Sequence, residues 1–169
     1  VVGGVAVCLA SASAQSGQPS GISARIGLFL PSNKAAEDEG TTWLSFGLDY
    51  RFNQSNAPAM VMRNGTGTFY SLSVDYYDKG GYRNIPIAVN YNVRAQQLIF
   101  TAGAGGCIET AADHETIGLG FQIAVTYEFT GSAQTIGQMN QKPFFLQAKY
   151  FLASDSALDG LGVYVGMRF

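Results

Sequence analysis

His114 is the only histidine of the 169-residue chain, and it sits in Asp113-His114-Glu115-Thr116. An imidazole there could serve as general base to a serine nucleophile, and Ser154 and Ser156 lie in a later turn-rich segment. That chemistry needs the nucleophile within hydrogen-bond reach and a third group to orient the base. Spacing across two loops supplies neither, so the motif reads as a solvated polar loop and no catalytic residue is assigned. Glu37-Asp38-Glu39 is an acidic run that could attract divalent cations weakly, and it reads as a hydrated loop. Gly103-Ala104-Gly105-Gly106 lies inside an alternating run and lacks the strand-to-helix setting of a phosphate loop. Two cysteines, Cys8 and Cys107, with one histidine cannot assemble a structural zinc site of the common kind. Cys107 has no histidine beside it and reads as inert. No metal ligand set and no cofactor are expected.

The elements that must position these residues are strands. Beyond Gly21 apolar residues recur at every second place, over Ile22–Leu30, Trp43–Phe52, Tyr70–Tyr76, Asn84–Val93, Leu98–Gly105, Ile117–Phe129, Phe144–Leu152 and Leu161–Phe169. Turn-rich segments separate them: Pro31–Thr41, Asn53–Gly67, Asp78–Gly81, the tighter Val93–Gln96, Glu109–Glu115, Thr130–Lys142 and Ala153–Gly160. The runs are about nine to twelve residues long, the length at which a tilted strand crosses a bilayer. About eight of them make an even number, as in the smallest membrane barrels. Pro86 lies inside a strand that must pair on both sides, which predicts a bulge or bend.

The phase of the charges decides which face meets what. The apolar phase carries no charge within the strand bodies, and Arg83 at the start of the fourth run is its one exception. The opposite phase holds Arg25, Asp49, Arg51, Asp75, Glu128, Lys149 and Arg168, interleaved with glycine, serine and asparagine. A charge on the lipid face costs about 2–4 kcal/mol at the midplane, so an empty apolar face is what lipid demands. Backbone groups cannot stay unpaired in hydrocarbon, so the sheet must close. The charged phase then faces a crowded lumen, where buried charges pair as a polar network. A soluble lipocalin-like binding barrel is the alternative, with the apolar phase turned inward. On the apolar phase, Tyr50, Phe52, Tyr70, Tyr91, Phe100, Tyr127, Phe129, Phe144 and Phe169 fall near strand ends and converge on the rim that holds both termini. They are expected to form a girdle at a membrane interface.

Composition agrees. The chain is 47% hydrophobic, 12% aromatic and only 13% charged, with 21 glycines and a net charge of −2. Few charges and many aromatics exclude intrinsic disorder, and the absence of any Lys/Arg cluster argues against a nucleic-acid partner. No run is long and apolar enough for a transmembrane helix. Val1–Ala14, VVGGVAVCLASASA, reads as the remnant of a secretory signal peptide with Ala12-Ser13-Ala14 as the cleavage site. Residues 15–169 then form one exported domain, an all-β, eight-stranded, antiparallel, up-and-down transmembrane barrel.

Leu161-Gly162-Val163-Tyr164-Val165-Gly166-Met167-Arg168-Phe169 resembles the closing strand of bacterial outer-membrane barrels. Arg25-Ile26-Gly27 running to Pro31, Gly47-Leu48-Asp49-Tyr50, and Ile85-Pro86-Ile87 followed by Asn90-Tyr91 are similar to pieces of the small outer-membrane β-barrel superfamily, near the OmpW and OmpX/OmpA-like barrels. The resemblance implies a bacterial outer-membrane location and contact with outer-membrane lipid. It also implies delivery by the barrel-assembly machinery, which reads a terminal phenylalanine such as Phe169. A structural or surface-interaction role follows, with passage of small hydrophobic molecules as its OmpW-like extension. Trp43, Phe69, Phe145, Phe151 and Tyr164 would line that route. Some relatives of this kind are lipid A-modifying enzymes that use His, Ser and an acid, which keeps His114 with Ser154 or Ser156 as the enzymatic alternative. One departure stands out: Asn53–Gly67 and Thr130–Lys142, periplasmic by strand count, are longer than the outer Asp78–Gly81, whereas such barrels have short periplasmic turns.

Overall fold

The computed structural model describes residues 21–52, 66–111, 114–129, 144–154 and 158–169. Eight strands form in chain order: β1 Ile22–Pro31, β2 Trp43–Arg51, β3 Thr66–Lys79, β4 Tyr82–Ala95, β5 Leu98–Ala111, β6 His114–Phe129, β7 Phe144–Leu152 and β8 Gly160–Arg168. One short helix, α1 Lys34–Asp38, lies between β1 and β2. Each strand pairs antiparallel with its neighbour in sequence, and β1 pairs with β8 from Ser23↔Arg168 to Pro31↔Gly160, closing the barrel. Closure leaves no open edge in the barrel wall, which is what hydrocarbon requires of a sheet.

The predicted runs match these strands, with β3 to β6 longer than alternation alone suggested. β5 and β6 pair up to Ala111↔His114, whereas β6 and β7 stop at Phe121↔Leu152, so one hairpin rises above the far rim. Gly80 and Gly81, both at positive φ (56° and 89°), make the two-residue turn from β3 to β4. That is the backbone a tight hairpin demands and glycine supplies. Residues 1–20 and the long connections 53–65 and 130–143 lie outside the described residues, and with them the expected signal segment.

Of the bulge or bend expected at Pro86, the bulge is absent and the β3 ladder is interrupted instead. Pro86 pairs with Cys107 on the β5 side, while the β3 ladder skips from Val74↔Ile87 to Tyr77↔Asn84 without a change of register. A bulge would add a residue to one strand. Here the missing N–H removes bonding locally and the strand runs on.

Inward glycines explain the glycine-rich lumen phase. A Cβ on Gly120 would stand 2.6 Å from Phe151 Cζ, one on Gly27 2.7 Å from Tyr164 Cδ1, and one on Gly47 2.7 Å from Arg25 Cζ. Phe151, Tyr164 and Arg25 are thus each accommodated by a glycine on a nearby strand, as the taper of a small barrel requires.

Candidate functional site

The interior is built in three levels. At mid-height, Arg25 on β1 meets Asp75 on β3 through Nη2 at 2.5 Å and Nε at 3.1 Å, and meets Asp49 on β2 with its other Nη. Lys149 on β7 donates to the second oxygen of Asp75. Two cations and two carboxylates thus cross the lumen with no net charge, and the Arg25, Asp75 and Lys149 side chains are all at most 5% exposed. A polar layer beside them ties Asn90 to Ser73 at 3.0 Å and Gln122 to Ser73 at 2.9 Å.

Toward the far rim, aromatic side chains fill the barrel. Phe29 stacks on Tyr77 at 3.9 Å, with Trp43 at 5.6 Å from Phe29 and Phe151 edge-on to Tyr77 at 6.2 Å. Ala36 of α1 and Leu158 of the β7–β8 connection are wholly buried against this cluster. The Tyr77 hydroxyl donates to the Leu158 carbonyl at 3.0 Å and accepts from Asn84 Nδ2 at 2.9 Å. Trp43 Nε1 donates to the Gly40 carbonyl at 2.7 Å, so every ring with a polar handle has used it.

At the terminus rim, Glu128 on β6 pairs with Arg94 on β4 and lies 2.5 Å from Arg168 on β8. Arg51 at the end of β2 forms no ion pair with either network and stands over the Phe69 ring, its Cζ 3.8 Å from the ring centre.

All seven charged residues expected in the lumen point into the cavity side of the wall, and six of them pair as two separate networks. Arg94 and Glu109 are lumen charges that alternation missed. Both continue the inward phase, Arg94 after Asn90 and Asn92, Glu109 after Gly105 and Cys107; extending the fourth run by one residue and the fifth by four would have found them. Arg83, the exception on the apolar phase, sits beyond the apolar band and donates to Glu115 at 2.9 Å and to Thr110 at 3.1 Å.

The apolar route expected along Trp43, Phe69, Phe145, Phe151 and Tyr164 does not form. Trp43 and Phe151 belong to the far-rim cluster, Tyr164 lies beside Arg25 at 5.5 Å with its hydroxyl 3.0 Å from Ser45, and Phe69 backs Arg51. The charged layer separates these rings, so an apolar molecule moving along the axis would meet buried ion pairs.

The candidate enzymatic pair is also kept apart. Ser154 accepts from the Leu119 N–H at 2.6 Å and donates to the Leu119 carbonyl at 2.9 Å. His114 lies five residues up the same strand, about 16 Å at 3.3 Å per residue. Ser156 lies outside the described residues. Cys107 donates its thiol hydrogen to Glu109 at 2.7 Å in a site 1% exposed. Glu37, Asp38 and Glu39 are exposed on and after α1. Among the described residues no three His, Cys, Asp or Glu side chains gather as metal ligands.

The outer wall shows what surrounds the barrel. Leu28, Leu48, Val89, Ile123, Val163 and Val165 are each 48% exposed or more, and they belong to a continuous outward apolar band drawn from all eight strands.

 The lowest of these values is that of Val163 at 48% and the highest that of Ile123 at 62%. A water-soluble barrel would turn this surface inward, so the lipocalin-like alternative is set aside. The nine girdle aromatics all face outward at the terminus rim, from 38% exposed for Phe169 to 62% for Phe144. Tyr70 packs on Tyr91 at 5.5 Å and Tyr127 on Phe129 at 5.1 Å. Among the described residues no helix is long and apolar enough to cross a membrane, and the strands do the crossing. The chain is an eight-stranded transmembrane barrel of the outer-membrane kind.

No protein-family profile matches the chain, and no curated protein sequence does. Solved structures with a similar fold include the crystal structure of the outer membrane enzyme PagL, with a TM-score of 0.49 at 13% identity over 87% of this chain and 96% of that one. They also include the Yersinia pestis outer membrane protein Ail in a phospholipid bilayer nanodisc, with a TM-score of 0.48 at 13% identity over 88% of this chain and 98% of that one.

Proposed function

We propose that this barrel is a non-conducting, non-catalytic protein of the bacterial outer membrane, with a structural or surface-interaction role exercised at its rims. The observation that carries this reading is the filled lumen. The Phe29–Trp43–Tyr77–Phe151 cluster, with Ala36 and Leu158 buried in it, closes the far half, and the Arg25–Asp49–Asp75–Lys149 layer crosses the middle. In this reading the terminus rim and its aromatic girdle face the periplasm. Lipid covers the apolar wall, and the barrel-assembly machinery recognises the β8 strand ending at Phe169. The far rim, with α1 and the raised β5–β6 hairpin, is the surface offered to the outside. Passage of small hydrophobic molecules along the axis is left out, because the charged layer blocks it.

The test is purified barrel in planar bilayers, together with mass analysis of lipid A from cells that express it. The expected result is no conductance step and unchanged lipid A. Conductance from the unmodified protein, or a new lipid A species lost in His114→Ala, would overturn the reading.

A further inference from the structure

The terminus rim carries a charge imbalance that the chain does not resolve. Among the described residues Arg51, Arg94 and Arg168 share this rim with one acidic side chain, Glu128, which pairs with Arg94 and Arg168. No carboxylate among the described residues pairs with Arg51, although it lies within electrostatic range of both other guanidiniums. Among the described residues, every acidic side chain other than Asp49, Asp75 and Glu128 belongs to the far half.

Beside Arg51 and Arg168 lies a polar cavity. Asn92 and Gln147 are on its walls with these two arginines, and Arg25, Lys149 and the Asp49 carboxylate of the central layer border it as well. The Arg51 guanidinium carbon stands 3.8 Å from the centre of the Phe69 ring, and both residues are on the cavity wall. A planar guanidinium stacked in this way is pre-organised for an oxyanion, because its donors match two oxygens at once. Guanidiniums outnumber acidic side chains at this rim, and a phosphate monoester or inorganic phosphate, at about −1.5 to −2 near neutral pH, would supply negative charge there.

We infer that the terminus-rim vestibule is a binding site for a dianionic phosphate group, with Arg51 as its principal donor and Arg168 as the second. The phosphate comes either from a soluble molecule or from the headgroup of a phosphatidic-acid-like lipid at the girdle. The site is separate from the filled far half and stands whether or not that half admits small molecules.

Calorimetric titration of the folded barrel in neutral detergent with sodium phosphate, against sodium chloride at equal ionic strength, tests the soluble source. Retention of phosphatidic acid against phosphatidylcholine, read by native mass spectrometry, tests the lipid source. Binding in the first arm assigns the soluble source and binding only in the second assigns the lipid, and either supports the site. Arg51→Gln is expected to weaken that binding about tenfold, the equivalent of one charge-assisted bond. Glu128→Gln is expected to strengthen it by freeing two guanidiniums. Absence of binding in both arms overturns the proposal, as does an unchanged affinity in a folded Arg51→Gln variant. If Arg51→Gln does not fold, Glu128→Gln decides, and an affinity that does not rise overturns the proposal.

Discussion

Replacing Asp75 with asparagine removes the carboxylate on which the central layer converges. Asp75 receives Arg25 at 2.5 Å through Nη2 and at 3.1 Å through Nε, and it also receives Lys149. Its own side chain is 2% exposed, and those of Arg25 and Lys149 are 1% and 5% exposed. The substitution leaves Arg25 paired with Asp49 and Lys149 without its carboxylate. Breaking a buried pair from one side costs about 3–5 kcal/mol, because the surviving charge loses both its partner and its water. With a urea m-value of about 2 kcal/mol/M, a loss of 4 kcal/mol lowers the unfolding midpoint by about 2 M. The assay is equilibrium unfolding in detergent micelles, followed by tryptophan fluorescence and by the heat-dependent shift in electrophoretic mobility. Adding Lys149→Met to Asp75→Asn removes the excess cation and restores the balance of Arg25 with Asp49. The double variant should therefore recover at least about 2 kcal/mol relative to additivity. A single variant that loses less than about 1 kcal/mol, or a strictly additive pair, would refute the argument that charge balance holds this layer together.

Depth in the membrane should govern the cost of a charge on the outer wall. Val163→Arg, in the middle of β8, is expected to cost about 2–4 kcal/mol, and Ile117→Arg, on the hairpin above the end of β7, less than about 1 kcal/mol; equal costs in bilayer unfolding titrations would contradict the placement of the apolar band. Gly105→Ala should destabilise by about 1–3 kcal/mol, because its Cβ would stand 2.7 Å from Ala88 Cα. Gly106→Ala has only the Gly118 carbonyl oxygen at 3.8 Å and should fall within about 0.5 kcal/mol of the parent in the same titration. Cys107, 1% exposed and donating to Glu109, should resist maleimide in the folded barrel of a Cys8→Ser variant and react on heating in SDS. Rapid labelling of the native state would show that the lumen opens at that level.

Strand periodicity is a local property, and it was legible along nearly the whole chain. Successive side chains point to opposite faces whatever the neighbours are, so the inward set from Arg25 to Arg168 and the outward girdle from Tyr50 to Phe169 could be read without knowing a single contact. Run ends were less legible. Glycine and threonine blur the alternation in Thr66–Phe69, and Glu109 and Arg94 lay just past the last apolar markers. α1 and Leu158 were invisible as core, because they lie in loops and are buried only by packing onto Phe29, Trp43 and Tyr77.

Which charges meet was decided by closure alone. Arg25 and Asp75 are 50 residues apart and Lys149 and Asp75 are 74 apart, on strands that are not neighbours in the sheet. Their contact exists only because the wall curves back on itself and brings facing strands within side-chain reach across a lumen just wide enough to be filled. The same curvature leaves Arg51 on Phe69, outside both networks. Sequence alone separated the charged set from the girdle aromatics, since a period of two puts them on opposite faces, and the uncharged phase is the one that lipid accepts. The tertiary structure decided which of the charges pair, because pairing depends on distances across the barrel that no local pattern encodes.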